Sequence, residues 1–188
     1  MAIDPKELRR ALGHFATGVT VITCRGQDEE PHGATVNAFT AVSLEPPLVL
    51  VSLDRRSKVC SLLDSRPFTV NVLEAGQQEL AMHFAGKPSQ DVVWDSDGAC
   101  GAPRLAGALA HISCTPWRHY DGGDHVLYLG EVQEFHVHHG RPLLFHTGKF
   151  HQLGDDFDPD LWQGSADGPD GIAFFADVVL GRSSSPTP

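Results

Sequence analysis

Residues 108–138 read ALAHISCTPWRHYDGGDHVLYLGEVQEFHVH. β-branched and aromatic residues recur on both sides of the tetrapeptide Asp121-Gly122-Gly123-Asp124, which has the composition of a turn. The spacing predicts a strand over Ala108 to His119, the turn, and a second strand over His125 to His138. A further turn, His139-Gly140-Arg141-Pro142, leads into a third strand over Leu143 to Leu153.

The same kind of sequence occupies the N-terminal half. Val19 to Cys24 is a β-branched strand, and Arg25 to Pro31 is polar and turn-like. Gly33 to Leu44 reads as one extended stretch, closed by Glu45-Pro46-Pro47, since a residue before proline avoids the helical region. Leu48 to Leu53 is continuously apolar, which predicts a strand buried on both faces. Phe68 to Leu73 is another strand. Helices are few and short. Asp4 can cap a helix that has Pro5 at its first position and Leu8, Ala11, Leu12 and Phe15 on one face. Ser57 to Asp64 and Gln77 to Phe84 predict two more. Gly86 to Gly107, rich in Gly, Pro, Asp and Ser, reads as a long surface loop. With no regular βαβ alternation, the class is mainly β with short helices, arranged as a closed or nearly closed antiparallel barrel.

The chain has 188 residues and a formal charge of −10. That length suits one domain, and that charge argues against a nucleic-acid partner. Residues 154–188 carry seven Asp and one Arg. They are expected to form an acidic C-terminal extension to a domain of residues 1–153, with Ser183 to Pro188 disordered. Its apolar island, Ile172 to Leu180, either docks on the barrel or a second subunit or stays a loose extension. It is too short to span a bilayer. Cys24, Cys60, Cys100 and Cys114 form no C-x-x-C pair, and the N-terminus lacks the apolar segment of a secretory signal. Both features predict a cytoplasmic protein with reduced thiols and no membrane association.

G-x-G-x-x-G at a strand–helix junction, the Walker A sequence and G-x-S-x-G are all absent. Four segments remain. At Leu53-Asp54-Arg55-Arg56-Ser57-Lys58 a buried strand meets a predicted helix start. There, free N–H groups, the Ser57 hydroxyl and three cations could hold a phosphate. A solvated basic helix start with a serine cap reads from the same residues. In Gly33 to Ala41, small residues alternate with Thr and Asn, so a flat heterocycle could approach the backbone. An ordinary strand with a wet face would look the same. Gly122-Gly123-Asp124-His125 is a glycine turn ending in a histidine that could contact a cofactor amide, or a plain hairpin turn. His136, His138 and His139, with His146 and His151 downstream, lack a Cys or carboxylate to complete a tetrahedral set. They predict exposed strand-end histidines and no metal site.

Taken in order, several segments resemble the short-chain flavin reductase family, the reductase components of two-component aromatic monooxygenases. The resemblance runs from Lys6 to Leu153. It rests on Phe15 to Val21, Ala34 to Thr40, Val42 to Val49, Phe68 to Leu73, Phe84 to Lys87, Gly101 to Pro103, Gly122 to His125 and Gly148 to Phe150. It implies a split β-barrel homodimer with flavin near the subunit interface. Asn37, Ala38, Phe39 and Thr40 would line the isoalloxazine, with Ser52, Leu53 and Asp54 continuing the pocket. Ser57, Lys58, Val59 and Cys60 would hold the flavin phosphate, and Phe84 and Lys87 the distal part. His125 would sit beside the nicotinamide, with Phe150 near it. The chain departs from the family's usual Ser at Ala38, from its D-R-F type triplet at Gln90 to Val93, and from its usual Tyr at Phe150.

The implied activity is hydride transfer from NADH to FAD, or to FMN. The reduced flavin would diffuse to a separate oxygenase acting on a phenol-type compound. A flavin carrier or sensor without turnover, and another flavin oxidase on the same barrel, are the alternative expectations.

Overall fold

The computed structural model describes residues 3–88 and 91–154. Expectations for the extension beyond Gly154 lie outside the described residues. In chain order the elements begin with α1 (Pro5–Leu12), β1 (Thr17–Gly18), β2 (Thr20–Arg25), β3 (Pro31–Val36), β4 (Phe39–Leu44) and β5 (Pro47–Asp54). They continue with β6 (Phe68–Val72), α2 (Gln78–Phe84), β7 (Trp94–Asp95), β8 (Arg104–Leu105), β9 (Ala110–Gly122), β10 (His125–Val137), β11 (Leu144–His146) and β12 (Lys149–His151). Among the described residues this is a mainly antiparallel β protein with two short helices.

Seven strands form one sheet in the order β3-β2-β6-β9-β10-β5-β4. Its two edge strands, β3 and β4, are consecutive in the chain and are joined only through Asn37 and Ala38. The predicted single stretch from Gly33 to Leu44 is therefore two strands. The break between them carries the chain from one edge of the sheet to the other. A sheet whose edges are tied that closely must curl into a barrel, open along one seam. The Ser52 N–H donates to the Ala38 carbonyl at 3.0 Å, which holds the link against β5.

Burial on both faces occurs on β2, not on β5. Thr20 to Cys24 are buried at every position. Ile22 and Cys24 point into the barrel core with Val51, Leu53, Val59, Leu63, Phe68 and Val70. Val21 faces a second cluster with Val19, Leu73, Leu80, Leu105 and Leu143. From Val49 onward β5 alternates buried with half-buried residues, because its outer face is left uncovered in the single chain.

The predicted surface loop over residues 86–107 is partly interior. Leu105 is fully buried, and β7 pairs with β8. Polar groups pin this segment to the barrel. The Asn71 amide donates to the Val21 carbonyl and to Thr23 Oγ1, and Asn71 Oδ1 accepts from the Leu105 N–H. Arg104 pairs with Glu134. The Ala99 amide and His136 hold the Glu134 carboxyl down at about 2. The predicted strand from Leu143 to Leu153 is a hairpin, β11–β12. Its turn residues Thr147 and Gly148 have φ of 47° and 80°, the signature of the turn that matches strand twist.

Ser57 to Asp64 is a run of turns and not the predicted helix. Ser, Val, Cys and Asp are poor helix formers, and the Ser61 hydroxyl donates to the Lys58 carbonyl at 3.0 Å. Helix α1 forms as expected, with Asp4 accepting from the Lys6 N–H. It stops at Leu12, with Gly13 as its C-cap, so Phe15 lies beyond the helix; Leu12 and Phe15 stay open, 67% and 77% exposed. Among the described residues no helix is long and apolar enough to cross a membrane.

His111 on β9 is 2% exposed, and its Nε2 lies 2.8 Å from the Leu105 carbonyl. Burial pushes its pKa below the usual histidine value of 6.5. Below 6.5 the unfolded chain therefore takes up a proton that the folded chain refuses. The stability it contributes is full above pH 6.5 and is lost as pH falls through the lowered folded value. Urea unfolding between pH 7.5 and 5 should show a steeper acid-side loss for the native protein than for His111→Gln. Parallel pH curves would contradict this.

Candidate functional site

The register of β5 against β10 assembles the site. His125 lies opposite Asp54, Val126 opposite Leu53 and Leu127 opposite Ser52. Strand alternation then sorts the side chains. Ser52 and Asp54 face outward beside the Asn37–Ala38 link, while Leu53 is only 1% exposed and fills the barrel core. Val59 and Cys60 are likewise buried in the core, so they offer backbone rather than side chains to an outside ligand. Phe39 pairs with Val51 on the adjoining strand, and Thr40 beside it is exposed.

The turn after β5 carries three cations, and two of them are engaged. Arg56 grips both Asp54 carboxylate oxygens, at 3.0 and 2.6 Å. Together with the Arg56 amide, this grip holds the Asp54 carboxyl far below the usual range. Arg55 pairs with Asp121 at 2.9 Å. Lys58 is exposed and makes no ion pair among the described residues. The N–H groups of Lys58 and Val59 enter no turn hydrogen bond, whereas the Ser57 and Cys60 amides do. A free ammonium, the Ser57 hydroxyl and two unused amides suit a phosphate without any helix. A cleft of about 530 Å³, lined by Arg55, Ser61, Asp64, His119 and Tyr120 among others, opens beside this turn.

His125 Nδ1 lies 2.7 Å from Asp124 Oδ1. A carboxylate only accepts, so Nδ1 carries the hydrogen, and whenever the ring is neutral Nε2 is left as an acceptor. The natural partner of that nitrogen is an N–H donor, such as a carboxamide. From the sequence Arg55 reads only as one of three phosphate-binding cations, and Asp124 only as part of a turn; Asp124's place directly before a turn histidine was the available signal for its role.

The remaining predicted residues lie on other elements. Phe84, at the end of α2, lies flat over Gly33, where a Cβ would come within 2.5 Å of its ring. Lys87 follows it on the surface. Phe150 on β12 packs edge-on against Phe145 at 5.5 Å and leans on the second core cluster with Phe84. His136 contacts Glu134 at 2.9 Å, and His138 stacks edge-on against the buried His111. Among the described residues no group of three or more His, Cys, Asp or Glu could hold a metal ion.

Residues 12–154 match the flavin reductase like domain. The chain belongs to this family. It is 40% identical over 159 residues to an NADH-dependent flavin reductase of a Rhodococcus species, covering 80% of this chain and 88% of that one. It is 38% identical over 160 residues to the reductase subunit HsaB of a flavin-dependent monooxygenase from Rhodococcus jostii, covering 82% and 81%. The solved structure of flavin reductase PheA2 superposes with a TM-score of 0.77 at 42% identity, over 81% of this chain and all of that one. The seam, the turn after β5 and the β9–β10 hairpin thus belong to a flavin reductase-like fold.

The contact between Gly33 and Phe84 is a test of this packing. Gly33→Ala should drive the Phe84 ring from its place and destabilise the protein by about 1–3 kcal/mol, as measured by urea unfolding. An unchanged midpoint would mean the ring is not seated there.

Proposed function

We propose that this protein is an NADH-dependent flavin reductase whose reduced flavin serves a separate oxygenase. The observation that carries the reading is that the small-residue link Asn37–Ala38 and His125 both adjoin the end of β5, and that the free Lys58–Val59 cradle lies in the turn directly after that strand. The link and the outward Ser52 leave room and backbone groups for a flat ring. The cradle supports its phosphate, and His125 Nε2 accepts from the carboxamide of the nicotinamide. Flavin, when bound, supplies the hydride acceptor. The chain itself aligns the two rings and shields them from water.

FAD is the proposed flavin and FMN also fits, because both carry the same ring, ribityl chain and first phosphate. Residues 1–153 form the proposed catalytic unit, with an acidic extension over 154–188. The uncovered apolar residues Leu8, Leu12 and Phe15 support a homodimer, which would cover them. The oxygenase partner, acting on an aromatic, phenol-type substrate, is inferred from the family resemblance and from relatives that are monooxygenase reductase components.

Following NADH absorbance with added FAD or FMN tests the activity. Many NADH molecules should be consumed per protein. Flavin binding without NADH loss would make the protein a carrier, and neither binding nor oxidation would overturn the reading.

Two variants test the placement. Lys58→Ala should raise the flavin concentration for half-maximal rate by roughly tenfold, the loss of one charge-assisted contact. His125→Ala should raise the KM for NADH by a similar factor, with little effect on flavin. Unchanged constants would remove each role in turn.

A further inference from the structure

Arg55 makes three hydrogen bonds to a single turn. Its backbone N–H donates to the Asp124 carbonyl at 3.1 Å, and its Nε donates to the Gly123 carbonyl at 2.8 Å. Its terminal nitrogen donates to Asp121 Oδ1 at 2.9 Å. That same carboxylate oxygen accepts from the Gly123 amide at 2.8 Å. The turn is the tip of the β9–β10 hairpin, where Gly123 has a φ of 78°. Its last residue, Asp124, orients the His125 ring. Arg55 thus grips the hairpin tip at both backbone and side chain, one residue before the His125 ring is aimed.

The placement has a second side. Arg55 sits on the turn that continues into Ser57 and Lys58, so its three bonds tie the anion cradle to the histidine turn. The Arg55 and Asp121 side chains are 46% and 81% exposed. An ion pair that open contributes little to folding stability. Its geometry serves placement instead. The planar guanidinium fork reaches a carbonyl and a carboxylate at once, which an ammonium cannot do.

Resting on the reductase reading, we propose that Arg55 is a positioning residue. It fixes the 121–124 turn against the end of β5, so that Asp124 presents His125 to the nicotinamide. Arg55 acts through His125 and sets the enzyme's affinity for NADH. The flavin phosphate is left to Lys58 and the free amides beside it.

A double-mutant cycle with full-length enzyme tests this, with NADH oxidation measured over a range of NADH and of FMN. Arg55→Ala should raise the KM for NADH by about tenfold in the native background. In the His125→Ala background the same change should raise it less than twofold, because the residue it acts through is gone. The FMN concentration for half-maximal rate should move less than threefold, and Arg55→Lys should recover part of the loss.

Independent, additive losses in the two backgrounds would overturn the proposal. So would a rise in the FMN requirement matching that for NADH. Should Arg55→Ala fail to fold, Asp121→Asn replaces it. That variant keeps an oxygen for the Gly123 amide and weakens the Arg55 pair. It must show the same NADH-selective loss, and native NADH dependence would overturn the proposal. Failure of the reductase reading itself looks different: the native enzyme would then oxidise no NADH with any flavin.

Discussion

The connection from β3 to β4 governs the rest of the molecule. These strands are the two edges of a seven-stranded sheet, yet only Asn37 and Ala38 separate them. Right-handed twist alone would leave an open, propeller-like sheet. The short tether forces the edges together, and the Ser52–Ala38 hydrogen bond keeps the tether against β5. Because the edges meet through a link and not through a ladder, the barrel keeps a seam. Backbone groups along a seam are not all engaged in pairing, and small side chains there leave them reachable. The most economical closure of the fold therefore also creates its most accessible polar backbone.

Polar and charged side chains gather at the end of β5 through strand alternation and charge pairing. The β5–β10 register sends Leu53 and Val126 inward and leaves Ser52, Asp54 and His125 outward. Asp54 then engages Arg56, and Asp121 engages Arg55. With those cations occupied, Lys58 is the side chain of this turn with its charge uncommitted. The acidic residues nearby thus decide which cation of the turn is left unpaired.

Much of this was legible in the sequence where the side-chain period and the turn chemistry agreed. The β9–β10 hairpin follows from alternating apolar residues around Gly122-Gly123, and β2 follows from Val19 to Cys24. The break at Asn37-Ala38 was not legible, because Gly33 to Leu44 contains no proline or charge cluster to mark it. The break is imposed by closure of the sheet, a long-range constraint. The helix expected over Ser57 to Asp64 is absent, because Val59, Cys60 and Leu63 are drawn into the core by a chain of turns. The sequence also put a helix start under Ser57 and Lys58, and the chain there is a run of turns, so any anion would meet free amides and an ammonium and not a helix dipole. Arg104 and Leu105 were hidden by the Gly- and Pro-rich composition around them, which resembles a surface loop until Asn71 and Glu134 are seen to anchor it.

The ionisation of the buried groups bears on what kind of chemistry this chain can perform. Burial pushes the Cys24 thiol up to about 11 and the Cys114 thiol up to about 12. Burial also raises Tyr128, whose hydroxyl donates to the Cys60 carbonyl at 2.6 Å. A thiol held that high carries almost no thiolate at neutral pH and makes a poor nucleophile. His111 is held neutral inside the barrel and faces the second core cluster, away from the seam. At the seam itself, the outward groups are an aspartate locked to arginine, a histidine set by its neighbouring carboxylate, and a lysine. These groups bind and orient. None is poised to form a covalent bond to a substrate. A protein built in this way leaves electron transfer to bound molecules and supplies their alignment, which is the division of labour that hydride transfer between two stacked rings requires.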